Sequence, residues 1–446
     1  MGEQTVFHRA DGVTLYAADC MDVLPTLPDA SVTAVVTDPP YELRFMGNAW
    51  DSTGIAYDPR VWAQCLRVLT PGGHLAAFGA ARTYHRMTVA IEDAGFEIRD
   101  GLMWLYGGGF PKSVDVSRAI DKRAGARRAQ VPTAGGLHRN RTLNAPGAGW
   151  AKLGAAEPEM DGPDPVTGDA ARWQGWGTAL KPGHEPIVLA RKPFPGAVAA
   201  TVLEHGTGAL NVDACRVGTE SRVLAAGQGH APGGVGLNMS VQGRPGRAEA
   251  KTVTGRWPPN VVLSHSPLLD EWGDPVGDAC AAGCVPGCPV AALDGQSSAR
   301  PAGGEPRVIV NQASGADRAG NRGAAWGTES RPAGSVTGVD RRDGGGPSRF
   351  FPNFRYEGKA PARERPRLPD GTAHPTVKPL ELMRWLVRLI APPGGTVLDP
   401  FAGSGTTLQA CLSEGFDVIG IERHGPFADL CRVRLERPIA PVIGGT

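Results

Sequence analysis

The sequence predicts an α/β fold in which a doubly wound and mostly parallel sheet is interrupted by a long insert. Strand-like and helix-like stretches alternate at both ends of the chain, over residues 13–106 and 379–422. Such alternation is typical of parallel sheets that carry helices on both faces. Between these ends, residues 112–370 are rich in Gly, Ala, Pro and Arg and show little periodicity. We therefore expect one sheet assembled from both ends of the chain.

At the N-terminal end, the clearest strand is the β-branched apolar run Ser31–Thr37. It stops at Asp38-Pro39-Pro40 because proline cannot continue a central strand. Apolar residues at helical spacing predict a helix over 58–69, which ends before Pro71-Gly72-Gly73. The elements predicted here are strands over 13–19, 31–37, 74–79 and 96–106 and helices over 58–69 and 82–94.

At the C-terminal end, a proline in the first turn and an apolar face predict a helix over 379–390. A Gly-rich turn then separates a strand over 396–401 from a helix over 406–414, which Gly415 caps. A further strand is predicted over 416–422. Within the insert, short strands are predicted over 186–191 and 259–264.

The composition narrows the class of protein. Lys and Arg together (46) nearly balance Asp and Glu (45) over 446 residues, so any surface that binds nucleic acid must be local. The N-terminus lacks the pattern of a signal peptide and no apolar run approaches transmembrane length, which predicts a soluble, cytoplasmic protein without a membrane partner. The eight cysteines are scattered, which favours free thiols or a metal site in a reducing compartment.

A strand, a tight glycine turn and the start of a helix follow one another over Val397–Thr407. Gly403 and Gly405 allow the backbone to approach a ligand closely, and the start of the helix presents free N–H groups. Glu422 closes the next strand, where an acidic side chain can hold ribose hydroxyls. The third glycine of a dinucleotide site and the Gly-Lys-Ser/Thr of a triphosphate site are missing. The pattern therefore favours S-adenosylmethionine as cofactor, with a purely structural glycine turn as the alternative.

The tetrapeptide Asp38-Pro39-Pro40-Tyr41 follows a buried-type strand and so lies at the carboxyl edge of the predicted sheet, where doubly wound folds place their ligands. These residue types suit methylation of a planar amine, whose nitrogen lone pair is delocalised. A carboxylate and a rigid proline carbonyl that accept the amine hydrogens would free that lone pair. An aromatic ring can stack on a base removed from the double helix. Asp-Pro-Pro is also an ordinary turn, so this motif alone leaves a structural role open.

Together, Thr37–Tyr41, His374–Pro379 and Asp399–Thr407 resemble the motifs of the beta class of DNA amino methyltransferases. In that class the catalytic tetrapeptide precedes the cofactor loop, and the DNA-recognition insert lies between them. The resemblance covers residues 10–115 and 370–435 and implies a Rossmann-like fold with a permuted order of motifs. The parts it implies are a catalytic half over 1–115, a partly disordered target-recognition insert over 116–370, a cofactor-binding half over 371–437 and a tail over 438–446.

The resemblance also implies a role for each matching residue. Asp38 and the carbonyl of Pro39 would bind the target amine, Pro40 would complete the rigid turn, and Tyr41 would stack on the flipped base. An aspartate in the first position points to N6 of adenine, whereas serine is usual for N4 of cytosine. The cofactor would be held by Asp19 at its adenine end, by Asp399, Phe401, Gly403 and Gly405 along the loop, by Glu422 on the ribose, and by Thr376 and Lys378 at the methionine carboxylate.

Two features of the insert suggest further ligands. Residues 112–154 carry nine Lys or Arg against two acidic residues, and residues 321–368 carry ten against five. These stretches are either solvated loops or arms that neutralise a DNA backbone, and Lys112 suits a phosphate contact as well as it suits a plain linker. Cys280, Cys284 and Cys288 are candidate ligands of a structural zinc ion, although their spacing is wider than in most zinc knuckles; incidental thiols are the alternative.

The sequence thus predicts an enzyme that transfers methyl from S-adenosylmethionine to N6 of an adenine flipped out of double-stranded DNA. The close alternative is N4-cytosine methylation on the same scaffold, and a more distant one is methylation of RNA or of a protein amide. A non-catalytic DNA-binding protein that retains the fold is an alternative of another class. A second copy of the chain and a restriction endonuclease are the further partners considered.

Overall fold

The structure is a computed structural model that describes residues 6–43, 49–106, 113–132, 159–224, 251–265, 288–296, 347–354 and 365–437. Its internal contacts separate two compact units. Unit 1 comprises residues 1–108 and 184–446, and unit 2 comprises residues 109–183. Within the described ranges, no helix has the length and apolar character needed to span a bilayer.

The strands of both units are numbered in chain order. They are β1 His8–Ala10, β2 Val13–Tyr16, β3 Val32–Thr37, β4 Leu69–Phe78, β5 Glu97–Leu105, β6 Gln130–Pro132, β7 Glu159–Asp161, β8 His184–Arg191, β9 Val217–Leu224, β10 Lys251–Arg256, β11 Val261–Ser264, β12 Asn353–Phe354, β13 Thr396–Asp399 and β14 Asp417–Ile421.

The helices are numbered in the same way. They are α1 Cys20–Val23, α2 Pro59–Val68, α3 Tyr84–Asp93, α4 Val116–Arg123, α5 Gly168–Arg172, α6 Val198–His205, α7 Pro289–Gly295, α8 Leu380–Ile390, α9 Thr406–Glu414 and α10 Gly425–Leu435. Short 3-10 turns lie at Leu24–Thr26, Ala49–Ser52, Ile55–Tyr57, Asp213–Cys215 and Pro347–Phe350.

Unit 1 contains a sheet whose described strands follow the order β1-β2-β14-β13-β3-β4-β8-β5-β11-β12. β1 and β8 run antiparallel to their neighbours, and the other neighbouring strands pair in parallel. β13 lies directly beside β3, so the C-terminal and N-terminal ends of the chain share one sheet. The predicted mixed α/β fold with a large, mostly parallel sheet is confirmed.

Helices cover both faces of this sheet, and alternate residues of each strand point to opposite faces. Ala34 and Val36 of β3 belong to the same core cluster as Leu386 of α8. Val35, between them, belongs to a second cluster with Trp62 of α2. All five side chains are fully buried. The central strands therefore hold their carboxyl ends rigidly between two packed layers.

The structure extends β4 through residues where the sequence predicts a break. The prediction stops a helix at Pro71-Gly72-Gly73 and begins the strand at His74, whereas β4 begins at Leu69. The reason is a tertiary partner, since Gly72 N–H donates to the carbonyl of Lys192 at 3.1 Å and Lys192 N–H donates to the carbonyl of Gly73 at 2.9 Å. The pairing of β4 with β3 is irregular across these residues and Gly72 has φ +79°, so the predicted turn is present as an irregularity within the strand.

Three strands within the expected insert belong to the main sheet, namely β8, β11 and β12. β8 lies antiparallel between β4 and β5, and β11 pairs in parallel with β5. Both were predicted as short strands, but neither was assigned to this sheet. The boundary by contacts, at residue 184, therefore falls inside the predicted insert of residues 116–370. The assignment of target recognition to that insert stays a prediction.

Unit 2 is a small unit built around a buried ion pair. Arg128 Nε donates to Asp121 Oδ2 at 2.8 Å, and both side chains are almost fully buried. The same aspartate accepts hydrogen bonds from the backbone N–H groups of Val166 and Thr167 and from the hydroxyl of Thr167. These bonds join the end of α4 to the start of α5. β6 and β7 form an antiparallel pair in the same unit.

Candidate active site

The two chemistry-bearing motifs meet at the carboxyl edge of the sheet. β3 ends at Thr37, β13 ends at Asp399, and the strands pair in parallel at Ala34–Val397 and Val35–Leu398. The Thr37 hydroxyl donates to Asp399 Oδ1 at 2.7 Å, and both side chains are buried. The tetrapeptide and the glycine loop are therefore neighbours in space, although Asp38 and Asp399 lie 361 residues apart in the sequence.

A cavity of about 570 Å³ opens at this edge within unit 1. Its volume is in the range of small-molecule and cofactor sites. Gly405 is absent from its lining. The predicted site residues that line the cavity are Asp19, Asp38, Pro39, Pro40, Tyr41, Thr376, Lys378, Asp399, Phe401, Gly403 and Glu422.

A charged cluster lies where the tetrapeptide faces the cavity. Lys378 Nζ donates to Asp38 Oδ2 at 2.7 Å and to the Tyr41 hydroxyl at 3.0 Å. The same ammonium lies 3.3 Å from Oε2 of Glu185, at the start of β8. The Tyr41 hydroxyl donates to that Glu185 oxygen at 2.7 Å. One ammonium thus contacts two carboxylates and a phenol.

Asp38 has one committed oxygen and one free oxygen. Oδ2 accepts from Lys378, while Oδ1 is buried and has no hydrogen-bond partner among the described residues. A buried acceptor without a donor is costly, and natural structures retain one where a ligand or solvent completes it. Oδ1 is therefore an acceptor available for an N–H group that enters the cavity.

The charges around Asp38 fix the protonation of its neighbours. Burial lowers the pKa of Lys378, but the negative charges of Asp38 and Glu185 raise it more, so the ammonium stays charged. Burial, reinforced by the same two carboxylates, raises the pKa of Tyr41 well above its ordinary value. The phenol is therefore neutral and can donate to Glu185. Its ring also lies 5.0 Å from the ammonium, a cation–π distance.

The glycine loop adopts a backbone that other residues rarely take. Gly403 has φ +57° and Gly405 has φ +80°. A Cβ on Gly405 would lie 3.2 Å from Cα of Cys431, and a Cβ on Gly403 would lie 3.3 Å from Nε2 of His374. Gly405 is the N-cap of α9, so the N–H groups of the first turn point towards the loop. This is the geometry that the sequence predicts.

Glu422 supports the loop from the end of β14. Its Oε2 accepts the N–H of Gly403 at 2.7 Å, and its Oε1 accepts the N–H of His424 at 2.8 Å. Burial raises the pKa of Glu422 to about 7, although these two backbone bonds lower it. Burial likewise raises the pKa of Asp399 to about 6. The side of the cavity next to the glycine loop thus carries two carboxyl groups whose pKa values are raised.

We expect the pKa of Glu422 to make stability depend on pH. A carboxyl group whose pKa is higher in the folded protein binds protons more tightly there, so its contribution to the free energy of unfolding falls as pH rises from about 4.5 to about 7. Denaturant unfolding of wild type and Glu422→Gln across this range measures that contribution. The wild type should lose stability relative to the variant as pH rises. A difference that is independent of pH, as expected for the exposed control Glu436→Gln, would contradict this account.

The remaining predicted residues have mixed positions. Asp19 caps α1 by accepting the N–H of Met21 at 2.9 Å, and it lies 3.4 Å from the Arg423 guanidinium. The N–H of Thr376 lies 3.3 Å from Nδ1 of His374.

Lys112, Cys280, Cys284 and the tail 438–446 lie outside the described residues. Cys288 is buried at the start of α7, and the described ranges hold no cluster of His, Cys, Asp and Glu fit for a metal. The zinc site stays a prediction.

Glu185 is the site residue that the sequence analysis missed. Glu185 is the second residue of β8. Because β8 runs antiparallel to its neighbours, the N-terminal end of β8 lies at the same edge as the carboxyl ends of β3 and β13. The signal was present, since residues 186–191 were predicted as a strand directly preceded by an acidic residue. The direction of that strand in the sheet could not be read from its apolar pattern.

Part of this site lies in a segment that is similar to a known protein family. Residues 311–431 match the family model described as DNA methylase, and this segment includes the glycine loop, Lys378 and Glu422. This segment is similar in sequence to DNA methylases. The Asp38 tetrapeptide and Glu185 lie outside the match, so the matched segment includes Lys378 but neither carboxylate of the charged cluster.

Similar proteins carry methyltransferase names. The chain is 34% identical over 86 residues to Type II methyltransferase M.ScaI of Streptomyces caespitosus, which covers 19% of this chain and 26% of that protein. It is 43% identical over 63 residues to Type II methyltransferase M.BglI of Bacillus subtilis, which covers 14% and 18%. The chain thus matches about a quarter or less of each relative's length. A solved structure, the cytosine-N4-specific PvuII DNA methyltransferase, aligns at 12% identity and a TM-score of 0.40, over 95% of this chain and 86% of that one.

Proposed function

We propose that the protein methylates the exocyclic amine of a base flipped out of double-stranded DNA, with N6 of adenine as the target atom. The observation that carries this proposal is the free, buried Oδ1 of Asp38 in a cavity shared with the methylase glycine loop. A carboxylate oxygen next to a proline-rich turn is suited to accept an N–H from a planar amine. The match of residues 311–431 to DNA methylases supports the same chemistry.

The residues of the tetrapeptide would prepare the amine. One amine hydrogen would be donated to Asp38 Oδ1 and the other to the Pro39 carbonyl, which draws the nitrogen towards tetrahedral geometry and frees its lone pair. Tyr41, held by Lys378 and Glu185, would stack on the base. The lone pair forms the new N–C bond, the pair of the breaking C–S bond leaves with sulfur, and one amine proton is lost afterwards. Asp38 therefore acts as an acceptor and need not be a strong base.

The cofactor side of the cavity fits S-adenosylmethionine, which supplies a methyl group on a positively charged sulfur when bound. Each oxygen of Glu422 accepts one backbone N–H, which leaves lone pairs for ribose hydroxyls. Asp19 would hold the adenine end, with Asp399, Phe401 and Gly403 along the loop and Thr376 near the methionine end. The ammonium of Lys378 already contacts three oxygens, so we assign it to Asp38 in preference to the methionine carboxylate.

Transfer of a tritium-labelled methyl group from S-adenosylmethionine tests this function. We expect label to enter duplex DNA and expect unlabelled duplex DNA to suppress labelling of any other polymer. Label that enters RNA or protein in the presence of excess DNA would refute the proposed substrate. DNA binding without any transfer would instead support a non-catalytic protein that retains the fold. A second copy of the chain and an endonuclease partner stay predictions.

A further inference from the structure

Resting on the proposed function, we propose that Glu185 is a positioning residue that gives the amine site a net negative charge, which stabilises the positive charge arriving on the target nitrogen. Glu185 lies outside the tetrapeptide and outside the methylase segment. It would act through Lys378 and Tyr41, both of which it contacts.

The geometry makes Glu185 the common support of the two groups beside Asp38. Its Oε2 accepts the Tyr41 hydroxyl at 2.7 Å and lies 3.3 Å from Lys378 Nζ. The side chain is 19% exposed and lines the cavity. Lys378 is 9% exposed and Asp38 is 22% exposed, so bulk solvent screens these charges only weakly. A change at Glu185 is therefore expected to affect both Tyr41, which would stack on the base, and Asp38, which would accept the amine hydrogen.

The charge count explains why a second carboxylate is useful. Asp38 and Lys378 form a pair at 2.7 Å whose charges cancel, and such a neutral pair offers little to a developing cation. Glu185 adds one negative charge, which leaves the cluster of Asp38, Glu185 and Lys378 at −1. During the proposed reaction a positive charge moves from sulfur to the amine nitrogen, which then loses a proton. A fixed negative charge that is already oriented stabilises both positions of that cation.

Glu185 could instead be only a packing partner of Tyr41, and the amide variant separates the two roles. Glu185→Gln keeps the side-chain volume and an acceptor oxygen for Tyr41 and Lys378, but it removes the charge. Glu185→Ala removes both. Glu97→Gln is the matched control because Glu97 pairs at 2.6 Å with Arg191 at the opposite end of β8, away from the cavity lining.

The first readout is binding, which does not require turnover. S-adenosylmethionine carries a positive sulfur, whereas S-adenosylhomocysteine is neutral at the same atom. Calorimetric affinities for both ligands give a preference for the charged form. We expect Glu185→Gln to reduce this preference by about tenfold, because the variant lacks one negative charge in a weakly screened cavity. Glu97→Gln should leave it unchanged.

The second readout is single-turnover methyl transfer to duplex DNA. Glu185→Gln should lower the rate constant by about tenfold or more, with the DNA concentration at half-maximal rate unchanged. Glu185→Ala should lower the rate constant further and raise that concentration, because Tyr41 loses the hydrogen bond to Glu185. An unchanged ligand preference in folded Glu185→Gln protein would overturn the inference. If the wild type binds both ligands but methylates no DNA, the proposed function fails, while a reduced preference in Glu185→Gln would still support the role of its charge.

Discussion

Replacing Asp38 by alanine is expected to lower the rate of methyl transfer by about a thousandfold or more, while affinity for S-adenosylmethionine falls by no more than about tenfold, the effect of removing one negative charge from the cluster. The variant loses Oδ1, the acceptor that is free to receive the target amine. The fold should persist because Lys378 keeps Glu185 as a counter-ion at 3.3 Å, which avoids an unpaired buried charge. Single-turnover assays and titration calorimetry measure the two quantities separately.

Asp38→Asn sharpens this test because it keeps the side-chain volume. Its one carbonyl oxygen would be drawn to the Lys378 ammonium, which turns the amide NH2 towards the incoming amine, so two donors would face each other. We expect this variant to be nearly as inactive as Asp38→Ala. Asp93→Asn, an exposed aspartate at the end of α3, is the control for the same substitution. Substantial turnover in either Asp38 variant would remove Asp38 from the mechanism.

Replacing Gly405 by alanine is expected to disrupt cofactor binding and to destabilise the fold by about 1–3 kcal/mol. Its φ of +80° lies in the left-handed region, and a Cβ would approach Cα of Cys431 to 3.2 Å and its Cβ to 3.3 Å. The clash involves backbone, so the loop must shift and carry Gly403 and the first turn of α9 with it. We expect the affinity for S-adenosylmethionine to fall by about tenfold or more, measured by calorimetry beside denaturant unfolding.

Gly415→Ala is a matched control at the other end of the same helix. Gly415 has φ +78°, but a Cβ there would meet nothing within 4 Å. This variant should therefore show the backbone strain of a left-handed alanine, about 1 kcal/mol, with cofactor affinity unchanged. If both variants lowered cofactor affinity equally, the loss could not be assigned to the glycine loop.

The sequence predicts most of the fold because its signals are local. The β-branched run before Asp38, the apolar face of α8 and the glycines that flank α9 each define an element whose observed bounds lie close to the prediction. That Asp38 and Asp399 lie at the same edge of the sheet also follows, since each stands at the carboxyl end of a parallel-type strand.

The parts that sequence reasoning missed depend on long-range pairing. β8 and Glu185 lie in a Gly-rich stretch, and an isolated apolar strand does not reveal which neighbours it joins or in which direction it runs. The contact between Lys378 and Glu185 could likewise not be predicted from the sequence, because it depends on where β8 joins the sheet. The resemblance implies a contact between Lys378 and the methionine carboxylate, which stays a prediction; the structure places its ammonium 2.7 Å from Asp38 Oδ2.

The most direct test of the central claim is mass spectrometry of nucleosides from duplex DNA incubated with the protein and S-adenosylmethionine. The account predicts N6-methyladenine with wild-type protein and none above background with Asp38→Ala. N4-methylcytosine would preserve the amine chemistry of the cavity but contradict adenine as the target. The absence of any methylated nucleoside on DNA of varied sequence would contradict the claim that this site methylates DNA.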